Sequence, residues 1–416
     1  MPSTALLTDR YELTMLESTL QSGLASRRAV FEVFARRLPA GRRYGVVAGQ
    51  GRLYGLLREF TFGPREVDAL RDVVGPETLD WLSGRRLAPT ISAYAEGETF
   101  FPGSPVLTVE GCFGEGLLLE TLVLSVLTHD SAVASAAARM VVAAGGRPLI
   151  EMGSRRTNEQ AAVAAARAAY VAGFARTSNL EAGRRYGVPT AGTSAHAFVL
   201  AADDERAAFR AQVTAQGVGT TLLVDTFDTE QGIRHAIEVA GPGLGAIRLD
   251  SGDLAEETRR ARALLDSLGA VDTRIVVTGD LDEHSILGLA PSPADSYGVG
   301  TSVVTGSGAP SAGFVYKLVA IADGDGPTAS MRPVAKRSTG KATVGGRKWA
   351  ARVGAGERLR LTPAGFPAGA RLLQEPLADG DVQAARERCR LSLAELPESA
   401  RRLSPGDPAW RAEMEN

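Results

Sequence analysis

The sequence has few of the residues that hold disulfide-linked or metal-bound domains together. It contains two cysteines, Cys112 and Cys389, which are far apart and form no CxxC pair. This spacing argues against a structural zinc site and against a disulfide framework, and it suits a reducing compartment. Only four histidines are present among 416 residues. A histidine that follows a predicted strand is therefore a candidate functional residue, with a satisfied structural ring as the alternative.

Long apolar runs and an excess of charge of one sign are also missing. The net charge of −2 at pH 7 gives no broad attraction to nucleic acid or to anionic lipid. Asp9 and Glu12 interrupt the N-terminus, and no later segment reaches membrane-spanning length without a charge. We therefore expect a soluble cytoplasmic protein that has no leader peptide and binds neither nucleic acid nor membrane.

Lysine is scarce, and the few lysines are clustered. Among 46 Lys plus Arg residues, the lysines are Lys317, Lys336, Lys341 and Lys348. A coding bias toward arginine and alanine accounts for the overall imbalance. The clustering suggests a second hypothesis, because an ammonium group is a compact charge suited to phosphate oxygens. On that hypothesis these lysines lie near a polyphosphate.

The length of the chain favours two domains. Residues 131–330 alternate short β-type runs with helical stretches, which predicts parallel strands joined by right-handed crossovers. One helix is expected to open at Asp253, with Glu256 at capping-box spacing, and to close at Gly269. About seven strand and helix units favour a closed, irregular α/β barrel over an open sheet.

The two ends of the chain have a different pattern. Residues 1–130 mix helical segments with strands and Gly/Pro turns, and this predicts an α+β domain. Residues 331–416 contain hairpin-like sequence and a late helix. We expect them to return to the N-terminal domain and complete it.

Polar and glycine-rich segments follow the predicted strands of the barrel. The carboxyl ends of parallel barrel strands lie at one face, where active sites are built. We therefore expect a functional site formed by residues 151–156, 177–179, 192–196, 225–228, 248–253, 279–280 and 298–301.

The motif AIRLDSGDL contains a pair of candidate site residues. Arg248 and Asp250 are two positions apart on a predicted strand, so their side chains point to the same face. A guanidinium group can bind phosphate oxygens and a carboxylate can accept ribose hydroxyls, while Gly252 lets the backbone approach a ligand. The pair suits a phosphorylated sugar. The alternative is a structural salt bridge at the mouth of the barrel.

Glycine-rich exits from the last two predicted strands indicate a phosphate site. YGVGTSVVTG places Gly300 before Thr301, and VVTGDL places Gly279 before Asp280. Uncovered backbone N–H groups form an anion nest, and paired loops of this kind hold phosphate in many barrels. In EMGSRRTNEQ, Arg155 can stack on an aromatic ring or pair with a carboxylate, with surface charge as the alternative.

The ordered set of motifs resembles the nicotinate phosphoribosyltransferase family from about residue 5 to about residue 350. The motifs are LLTDRYELTM, FEVFARRLP, EGETFFPGSPVLTVEG, EMGSRRT, GFARTSNLEAGRRYGVPTAGTSAHAFV, LLVDTFDT, AIRLDSGDL and YGVGTSVVTG. The resemblance implies an irregular α/β barrel with a second α+β open-faced sandwich domain, and a homodimer with shared active sites. It also implies that nicotinate, 5-phosphoribosyl 1-pyrophosphate (PRPP) and ATP react with Mg²⁺ to give nicotinate mononucleotide, pyrophosphate, ADP and phosphate.

The resemblance gives roles to residues outside the sugar and phosphate motifs. His196 of GTSAH is the residue that ATP phosphorylates, and Asp225 is expected to hold its other ring nitrogen. Tyr11 is expected to enter the partner subunit's site and stack on the pyridine ring, or else to cap the first helix. Ser178 can donate a hydrogen bond to a substrate carboxylate, and Arg155 adds positive charge. In the related nicotinamide enzymes, the position that matches Ser178 resembles an Asp. These residues favour nicotinate over nicotinamide.

The resemblance also assigns each part of PRPP, the ribose and the phosphates, to residues at particular strand ends. Transfer at the anomeric carbon depends on positioning and charge stabilisation. Asp250 is assigned to the ribose and Arg248 to the PRPP phosphates. The substrate-binding residues further include Gly252, Gly279, Asp280, Gly300 and Thr301, of which Gly279, Gly300 and Thr301 are assigned to the 5′-phosphate. No metal ligands are predicted.

Two alternatives stay open at this point. One is a nicotinamide or quinolinate phosphoribosyltransferase on the same fold, and the other is a catalytically inactive dimeric homologue that senses metabolites. Some segments also depart from the family pattern. His129 and Asp130 stand where an aromatic and a glutamine-like residue are expected, VGGRK replaces a Pro-Gly turn, and the tail after about residue 355 matches poorly.

Overall fold

A computed structural model describes residues 3–336, 343–354, 356–362 and 366–415 of the chain. The chain divides into two compact units. Unit 1 comprises Met1–Ser135 and Ser311–Asn416, and unit 2 comprises Ala136–Pro310.

The helices and strands are numbered in chain order. The strands are β1 (Arg28–Ala35), β2 (Gly45–Val46), β3 (Thr90–Tyr94), β4 (Thr99–Phe100), β5 (Leu107–Cys112), β6 (Leu149–Glu151), β7 (Arg176–Thr177), β8 (Thr221–Leu223), β9 (Ala246–Leu249), β10 (Arg274–Val277), β11 (Ser296–Val299), β12 (Phe314–Ala322), β13 (Met331–Pro333), β14 (Trp349–Arg352), β15 (Glu357–Arg360), β16 (Arg371–Leu372), β17 (Gln374–Pro376) and β18 (Ala412–Met414). The α-helices are α1 (Arg10–Gln21), α2 (Gln50–Arg58), α3 (Pro64–Ala69), α4 (Pro76–Leu82), α5 (Phe113–Leu117), α6 (Glu120–Ala144), α7 (Glu159–Val171), α8 (Leu180–Tyr186), α9 (His196–Leu200), α10 (Glu205–Gln216), α11 (Thr229–Ala240), α12 (Leu254–Ser267), α13 (Glu283–Gly288), α14 (Thr301–Val304), α15 (Val382–Glu395) and α16 (Glu398–Arg401).

Unit 1 is built on an antiparallel sheet with the strand order β13-β12-β1-β5-β3-β17. The sequence of β1, RAVFEVFA, is rich in the β-branched and aromatic residues that favour strands. Phe31 on β1 stacks on Tyr316 of β12 in the core, with ring centroids 5.0 Å apart. The predicted barrel domain, residues 131–330, includes residues 314–322. They belong to unit 1 instead, because β12 pairs with β1 along its length.

The described part of the tail after residue 355 is folded into unit 1. Strands β16, β14, β15 and β18 form a second sheet, and α15 lies in the chain before β18, the last of these strands. Arg352 on β14 is buried, with its guanidinium 2.9 Å from the Glu98 carboxylate and 5.0 Å from the centroid of the Trp410 ring. Arg371 on β16 also pairs with Glu98, at 2.6 Å. These contacts join segments that are far apart in the sequence, so they stabilise the attachment of the tail.

One helical stretch of the described residues, Phe113–Ala144, is long and apolar enough to cross a membrane by length and composition alone. It comprises α5 and α6, and 67% of its apolar window is buried inside the protein. The core helix of a soluble protein meets the same criterion. Asp130 and Arg139 lie within this stretch and are themselves buried.

Unit 2 is an α/β unit whose strands are all parallel, in the order β7-β6-β11-β10-β9-β8. Helices connect successive strands, as the alternating pattern predicted. The predicted start of α12 is confirmed, because Asp253 is its N-cap and accepts a hydrogen bond from the Glu256 N–H at 3.1 Å. Its end is followed by Gly269 in a left-handed conformation, with φ of +76°.

The sheet of unit 2 is curled into an irregular half-barrel, which confirms the predicted fold class. β11, the last strand of the unit, pairs with β6, the first, so the sheet closes on that side. Beyond β7 a single bridge joins Thr177 to Thr190. Within residues 136–310, no ladder joins the Thr190 segment to β8. The carboxyl ends of the strands therefore share one face, but the ring of strands is incomplete.

Candidate active site at the strand ends of unit 2

Arg248 and Asp250 lie side by side at the carboxyl end of β9. Their Nη2 and Oδ1 atoms are 2.8 Å apart, as expected for side chains on one face of a strand. The parallel register aligns Arg248 with Val276 of β10, so that Thr278 falls beside Asp250. Thr278 Oγ1 accepts a hydrogen bond from Arg248 Nε at 2.8 Å and donates one to Asp250 Oδ1. The three side chains thus form a closed set of hydrogen bonds.

The Arg248 guanidinium also reaches the segment that precedes α9. Its Nη1 donates to Thr193 Oγ1 at 3.0 Å and to the Ser194 carbonyl at 3.3 Å. Arg248 therefore connects β9 and β10 to the residues just before His196. The structural ion pair that was the alternative is present, and its side chains remain partly exposed, at 16% for Arg248 and 30% for Asp250.

The carboxylate of Asp250 is held in its ionised form. Burial alone would raise its pKa. The hydrogen bonds from Thr278 and Arg248 and the charges of Arg248 and His196 lower the pKa by more than burial raises it, so the pKa lies below the usual value for aspartate. Asp250 is thus a hydrogen-bond acceptor and a negative charge at neutral pH. Both properties suit a ribose whose anomeric carbon develops positive charge.

His196 is the first residue of α9, and its side chain is 41% exposed. Its Nδ1 lies 3.1 Å from Thr226 Oγ1, in the segment that follows β8. Its Nε2 faces Asp250 Oδ2 at 3.8 Å. The ring therefore has one nitrogen at hydrogen-bond distance from a hydroxyl and one that is nearest to a carboxylate.

Asp225 does not hold the His196 ring, and the expectation that it orients that ring is corrected here. Asp225 Oδ2 accepts hydrogen bonds from the Asp250 N–H at 2.7 Å and from Ser251 Oγ at 2.8 Å. The group at hydrogen-bond distance from His196 Nδ1 is instead Thr226 Oγ1, at 3.1 Å. Asp225 Oδ1 is buried and has no hydrogen-bond partner among the described residues.

The glycine-rich exits bring backbone close to this cluster. Gly279 follows β10 with φ of +113°, and a Cβ there would lie 2.6 Å from the Asp250 carbonyl oxygen, so only glycine fits without displacement. Asp280 follows it and is exposed. Gly300 and Thr301 begin the short helix α14 after β11. Gly252 lies in the loop after Asp250, with φ of +86°.

Arg155 and Ser178 lie at the exits of the adjacent strands β6 and β7, and both are exposed. The buried Glu151 at the end of β6 ties the two exits together, because its carboxylate accepts from Thr177 Oγ1 at 2.5 Å and its carbonyl accepts from the Ser178 N–H at 2.8 Å. Asn179 adds a side-chain hydrogen bond to Ser154, at 3.0 Å. Ser178 and Arg155 thus lie on two adjacent loops that these hydrogen bonds hold together.

Tyr11 belongs to unit 1, where it lies in the first turn of α1 with 43% of its surface exposed. Partial burial and the neighbouring charges of Glu120 and Glu12 raise the pKa of its hydroxyl far above the ordinary value, and the hydroxyl hydrogen-bonds to Glu120. Asp9 takes the N-cap position, in a capping box with Glu12. Tyr11 therefore offers an exposed neutral ring and is not the residue that caps the helix.

The structure also locates the residues that depart from the family pattern. Asp130 is buried on α6, where Arg52 of α2 binds it through two hydrogen bonds of 2.9 and 3.0 Å and His129 Nδ1 lies 2.8 Å away. The guanidinium of Arg52 and the ring of His129 offset the cost of burial and hold the pKa of Asp130 below its usual range. The unexpected pair at 129–130 thus joins two helices of unit 1.

The lysine cluster is divided in the structure. Lys348 is buried, with its Nζ 2.7 Å from the Glu32 carboxylate, and Lys317 lies 3.7 Å from Glu120. Lys336 is exposed, and Lys341 lies outside the described residues. Because Lys348 is already neutralised inside unit 1, the hypothesis of a shared polyphosphate does not extend to it.

Four hydroxyl groups make contacts for which no role was predicted, although only Thr278 lies outside the segments expected to form the site. Thr193, Thr226, Ser251 and Thr278 each bond to one of the charged candidates. The only signal for Thr278 was its place in VVTGDL, two residues beyond the position that pairs with Arg248.

Comparison with known proteins agrees with the motifs. Residues 6–128 match the family model described as the nicotinate phosphoribosyltransferase N-terminal domain. The chain is 55% identical to nicotinate phosphoribosyltransferase pncB1 of Mycobacterium tuberculosis over 97% of this chain and 94% of the relative. It is 37% identical to the nicotinate phosphoribosyltransferase of Bacillus subtilis over 83% of this chain and 72% of the relative.

A solved structure supports the same relationship. The crystal structure of human nicotinic acid phosphoribosyltransferase matches with a TM-score of 0.81 and 27% sequence identity. The match covers 98% of this chain and 97% of the human chain. The relationship therefore extends beyond the N-terminal family model and includes the unit that carries the strand-end cluster.

Proposed function

Since the chain belongs to the nicotinate phosphoribosyltransferase family, whose activity serves NAD salvage, we propose that it couples ATP hydrolysis to the transfer of phosphoribosyl from PRPP to nicotinate. The products are nicotinate mononucleotide, pyrophosphate, ADP and phosphate. The observation that carries the proposal is the cluster of His196, Asp225, Arg248 and Asp250 at the adjoining strand ends of unit 2.

The pair on β9 suits the phosphoribosyl group. The ionised Asp250 accepts hydrogen bonds from the ribose hydroxyls. Its negative charge stabilises the positive charge that develops at the anomeric carbon as pyrophosphate leaves. The Arg248 guanidinium offers N–H donors to the PRPP phosphate oxygens. The backbone N–H groups of Gly279, Gly300 and Thr301 bind the 5′-phosphate. Two of these residues are glycines, so no side chain covers the backbone there.

His196 is the residue that we assign to ATP. With Nδ1 near Thr226 Oγ1, the ring leaves Nε2 as the nucleophile for the γ-phosphorus of ATP. A bond forms between Nε2 and phosphorus as the bond to the ADP oxygen breaks, and water later releases phosphate from the histidine. The partial exposure of the ring gives a nucleotide access to it.

The acceptor is nicotinate rather than nicotinamide or quinolinate. The Ser178 hydroxyl can donate to the single carboxylate of nicotinate, and the Arg155 guanidinium adds a positive charge at the neighbouring exit. The presence of His196 argues against quinolinate transfer, for which no ATP coupling is needed. The relatives named above are all nicotinate enzymes, which also argues against an inactive homologue.

Mg²⁺ fits the chemistry of this cluster. Asp225 Oδ1 is a buried carboxylate oxygen without a hydrogen-bond partner in the described residues, and hard oxygen ligands of this kind suit Mg²⁺. No group of three or more His, Cys, Asp or Glu side chains in the part of the chain that the structure describes could hold a metal ion. Asp225 would hold the ion together with substrate phosphates and water. When bound, the ion would neutralise phosphate charge.

We include a homodimer and a cytoplasmic location in the proposal. Tyr11 is exposed, as are Leu6 and Leu7 earlier in the same N-terminal segment, at 45% and 54%, and exposed apolar side chains of this kind suit a contact with a second copy of the chain. In such a dimer the Tyr11 ring can reach the partner's pyridine. Cys112 and Cys389 are free thiols, which suits the reducing cytoplasm.

Product formation tests the proposal. The purified protein is incubated with PRPP and Mg²⁺ and with nicotinate, nicotinamide or quinolinate, each with and without ATP. We expect nicotinate mononucleotide from nicotinate, formed faster with ATP and accompanied by ADP. Product from nicotinamide or quinolinate at an equal rate, or no effect of ATP, would contradict it.

A further inference from the structure

The hydroxyl of Thr278 lies where the two charged residues of β9 meet. Thr278 is buried, with 3% of its surface exposed, and it follows the last residue of the neighbouring strand β10. Its single oxygen accepts from Arg248 Nε at 2.8 Å and donates to Asp250 Oδ1, with the Leu249 carbonyl at 3.3 Å as a further acceptor. One neutral group therefore contacts both the guanidinium and the carboxylate.

We propose that Thr278 is a positioning residue for the phosphoribosyl transfer, and that its hydroxyl fixes the relative orientation of Arg248 and Asp250 toward the substrate. This inference rests on the proposed function of those two residues. Thr278 is not itself assigned a contact with PRPP.

The orientation of the Thr278 side chain is set from its other side. The neighbouring strand β11 has a glycine, Gly298, at the point where the Thr278 methyl packs. A Cβ at Gly298 would lie 2.6 Å from that methyl carbon and 2.7 Å from the Met152 sulfur. The missing side chain at 298 thus makes room for the methyl group. Because threonine is branched at Cβ, placing its methyl toward Gly298 directs its hydroxyl to β9.

As a result, the two carboxylate oxygens of Asp250 have different surroundings. Oδ1 accepts from both Thr278 Oγ1 and Arg248 Nη2, and Oδ2 is left facing His196 Nε2 at 3.8 Å. Without the Thr278 hydroxyl, Asp250 keeps the hydrogen bond from Arg248 but loses the second hydrogen bond that fixes the orientation of its carboxylate. The carboxylate can then rotate, and Arg248 Nε loses its acceptor.

The charged groups that face Asp250 are identified on each neighbouring element. Arg248 precedes it on β9, His196 approaches from α9, and Asp225 in the segment after β8 accepts from its backbone N–H. Removing the Thr278 hydroxyl leaves all three in place. A difference in PRPP binding or turnover between Thr278→Ser and Thr278→Ala is thus attributable to the hydroxyl.

The test compares Thr278→Ser with Thr278→Ala, because both lack the methyl group and only serine keeps the hydroxyl. Thr273 supplies the control. It is equally buried at the other end of β10, and its hydroxyl donates to the Leu244 carbonyl at 2.9 Å. Steady-state kcat and KM for PRPP are measured for Thr278→Ser, Thr278→Ala, Thr273→Ala and the unmodified enzyme, together with Tm.

We expect Thr278→Ala to lower kcat/KM for PRPP by about 10- to 100-fold. Thr278→Ser should stay within about fivefold of the unmodified enzyme, because the hydroxyl is retained. Thr273→Ala should lower Tm but leave kcat/KM for PRPP unchanged. An unaltered kcat/KM in Thr278→Ala, or an equal loss of activity in Thr273→Ala, would overturn the inference.

A binding measurement separates this inference from the proposed function. If the unmodified protein makes no nicotinate mononucleotide, the proposed function fails, and calorimetry with PRPP and Mg²⁺ then decides the inference. Weaker PRPP binding by Thr278→Ala than by Thr278→Ser supports it. Equal binding by the two variants, or no PRPP binding by the unmodified protein, overturns it.

Discussion

Arg248 and Asp250 form an ion pair of 2.8 Å on one face of β9, and every nitrogen of the guanidinium has a protein acceptor. The pair is therefore assembled before substrate arrives, which lowers the cost of ordering it during binding. The same hydrogen bonds fix the plane of the guanidinium. The site thus depends on the shape of arginine as well as on its charge.

Arg248→Lys tests this dependence on shape. Lysine keeps the positive charge but cannot bond to Thr278, Thr193 and Asp250 at once, so we expect KM for PRPP to rise by about 10- to 100-fold. Arg274→Lys, at an exposed arginine on the neighbouring strand, is the matched control and should leave KM unchanged. Initial rates at varied PRPP concentration check this. An Arg248→Lys enzyme with an ordinary KM would show that charge alone is sufficient.

Gly279→Ala tests the close approach of the loop after β10 to β9. Alanine is strained at φ of +113°, and its Cβ would meet the Asp250 carbonyl oxygen at 2.6 Å. We expect a loss of about 1–3 kcal/mol in the free energy of unfolding together with weaker PRPP binding. Gly269→Ala is the control, since Gly269 has φ of +76° but no atom within 4 Å of its Cβ. Urea unfolding and calorimetry should show lost stability in both variants and lost binding only in Gly279→Ala.

Ser178→Asp tests the choice of acceptor. A carboxylate at this exposed position repels the carboxylate of nicotinate and can accept from the amide of nicotinamide. We expect KM for nicotinate to rise by about tenfold or more, with a smaller change for nicotinamide. Ser178→Asn, which adds a side chain of the same size without charge, separates repulsion from bulk. Equal effects of Asp and Asn on nicotinate would mean that charge at residue 178 does not select the acceptor.

The buried Glu98 predicts a dependence of stability on pH in unit 1. Burial would raise its pKa, but the hydrogen bond from Arg371 and the charge of Arg352 lower it by more than burial raises it, so its folded pKa lies below the ordinary value for glutamate. The ionised form therefore contributes stability that is complete above the unfolded pKa of about 4.3 and is lost as pH falls through the lower folded value. We expect Glu98→Gln to cost about 3 kcal/mol at pH 7.

The comparison is made by thermal unfolding of unmodified protein and Glu98→Gln between pH 3 and pH 8. The difference in Tm should be largest near neutral pH and should shrink below pH 4.5. Glu387→Gln, at an exposed ion pair with Arg390, should change Tm little at any pH. A difference that stays constant down to pH 3 would show that Glu98 does not anchor the tail through its charge.

Much of the site followed from local sequence. The spacing of two between Arg248 and Asp250 sets their common face whatever the strand's neighbours are, and Asp253 caps α12 through a bond to a residue three positions on. These relationships involve one element each, so periodicity and capping rules predict them.

The remainder depended on which elements meet. Asp225 bonds to Asp250 because the segments after β8 and β9 come together, and Thr226 lies at His196 because the segment after β8 also meets the start of α9. Strand propensity alone identified neither the pairing of β12 with β1 nor the position of Thr278 opposite Asp250. Such pairings are set by register between strands that are far apart in the sequence.

Transfer of phosphate from [γ-³²P]ATP to the protein tests the role of His196 most directly. Unmodified protein and His196→Asn are incubated with labelled ATP and Mg²⁺, and the acid-labile, base-stable label on each protein is counted. Nicotinate mononucleotide and ADP are then measured after PRPP and nicotinate are added. We expect labelled unmodified protein, unlabelled His196→Asn with an unchanged Tm, and loss of ATP stimulation in the variant. Equal labelling of the two proteins, or full ATP stimulation in His196→Asn, would contradict phosphorylation of His196 as the step that couples ATP to the reaction.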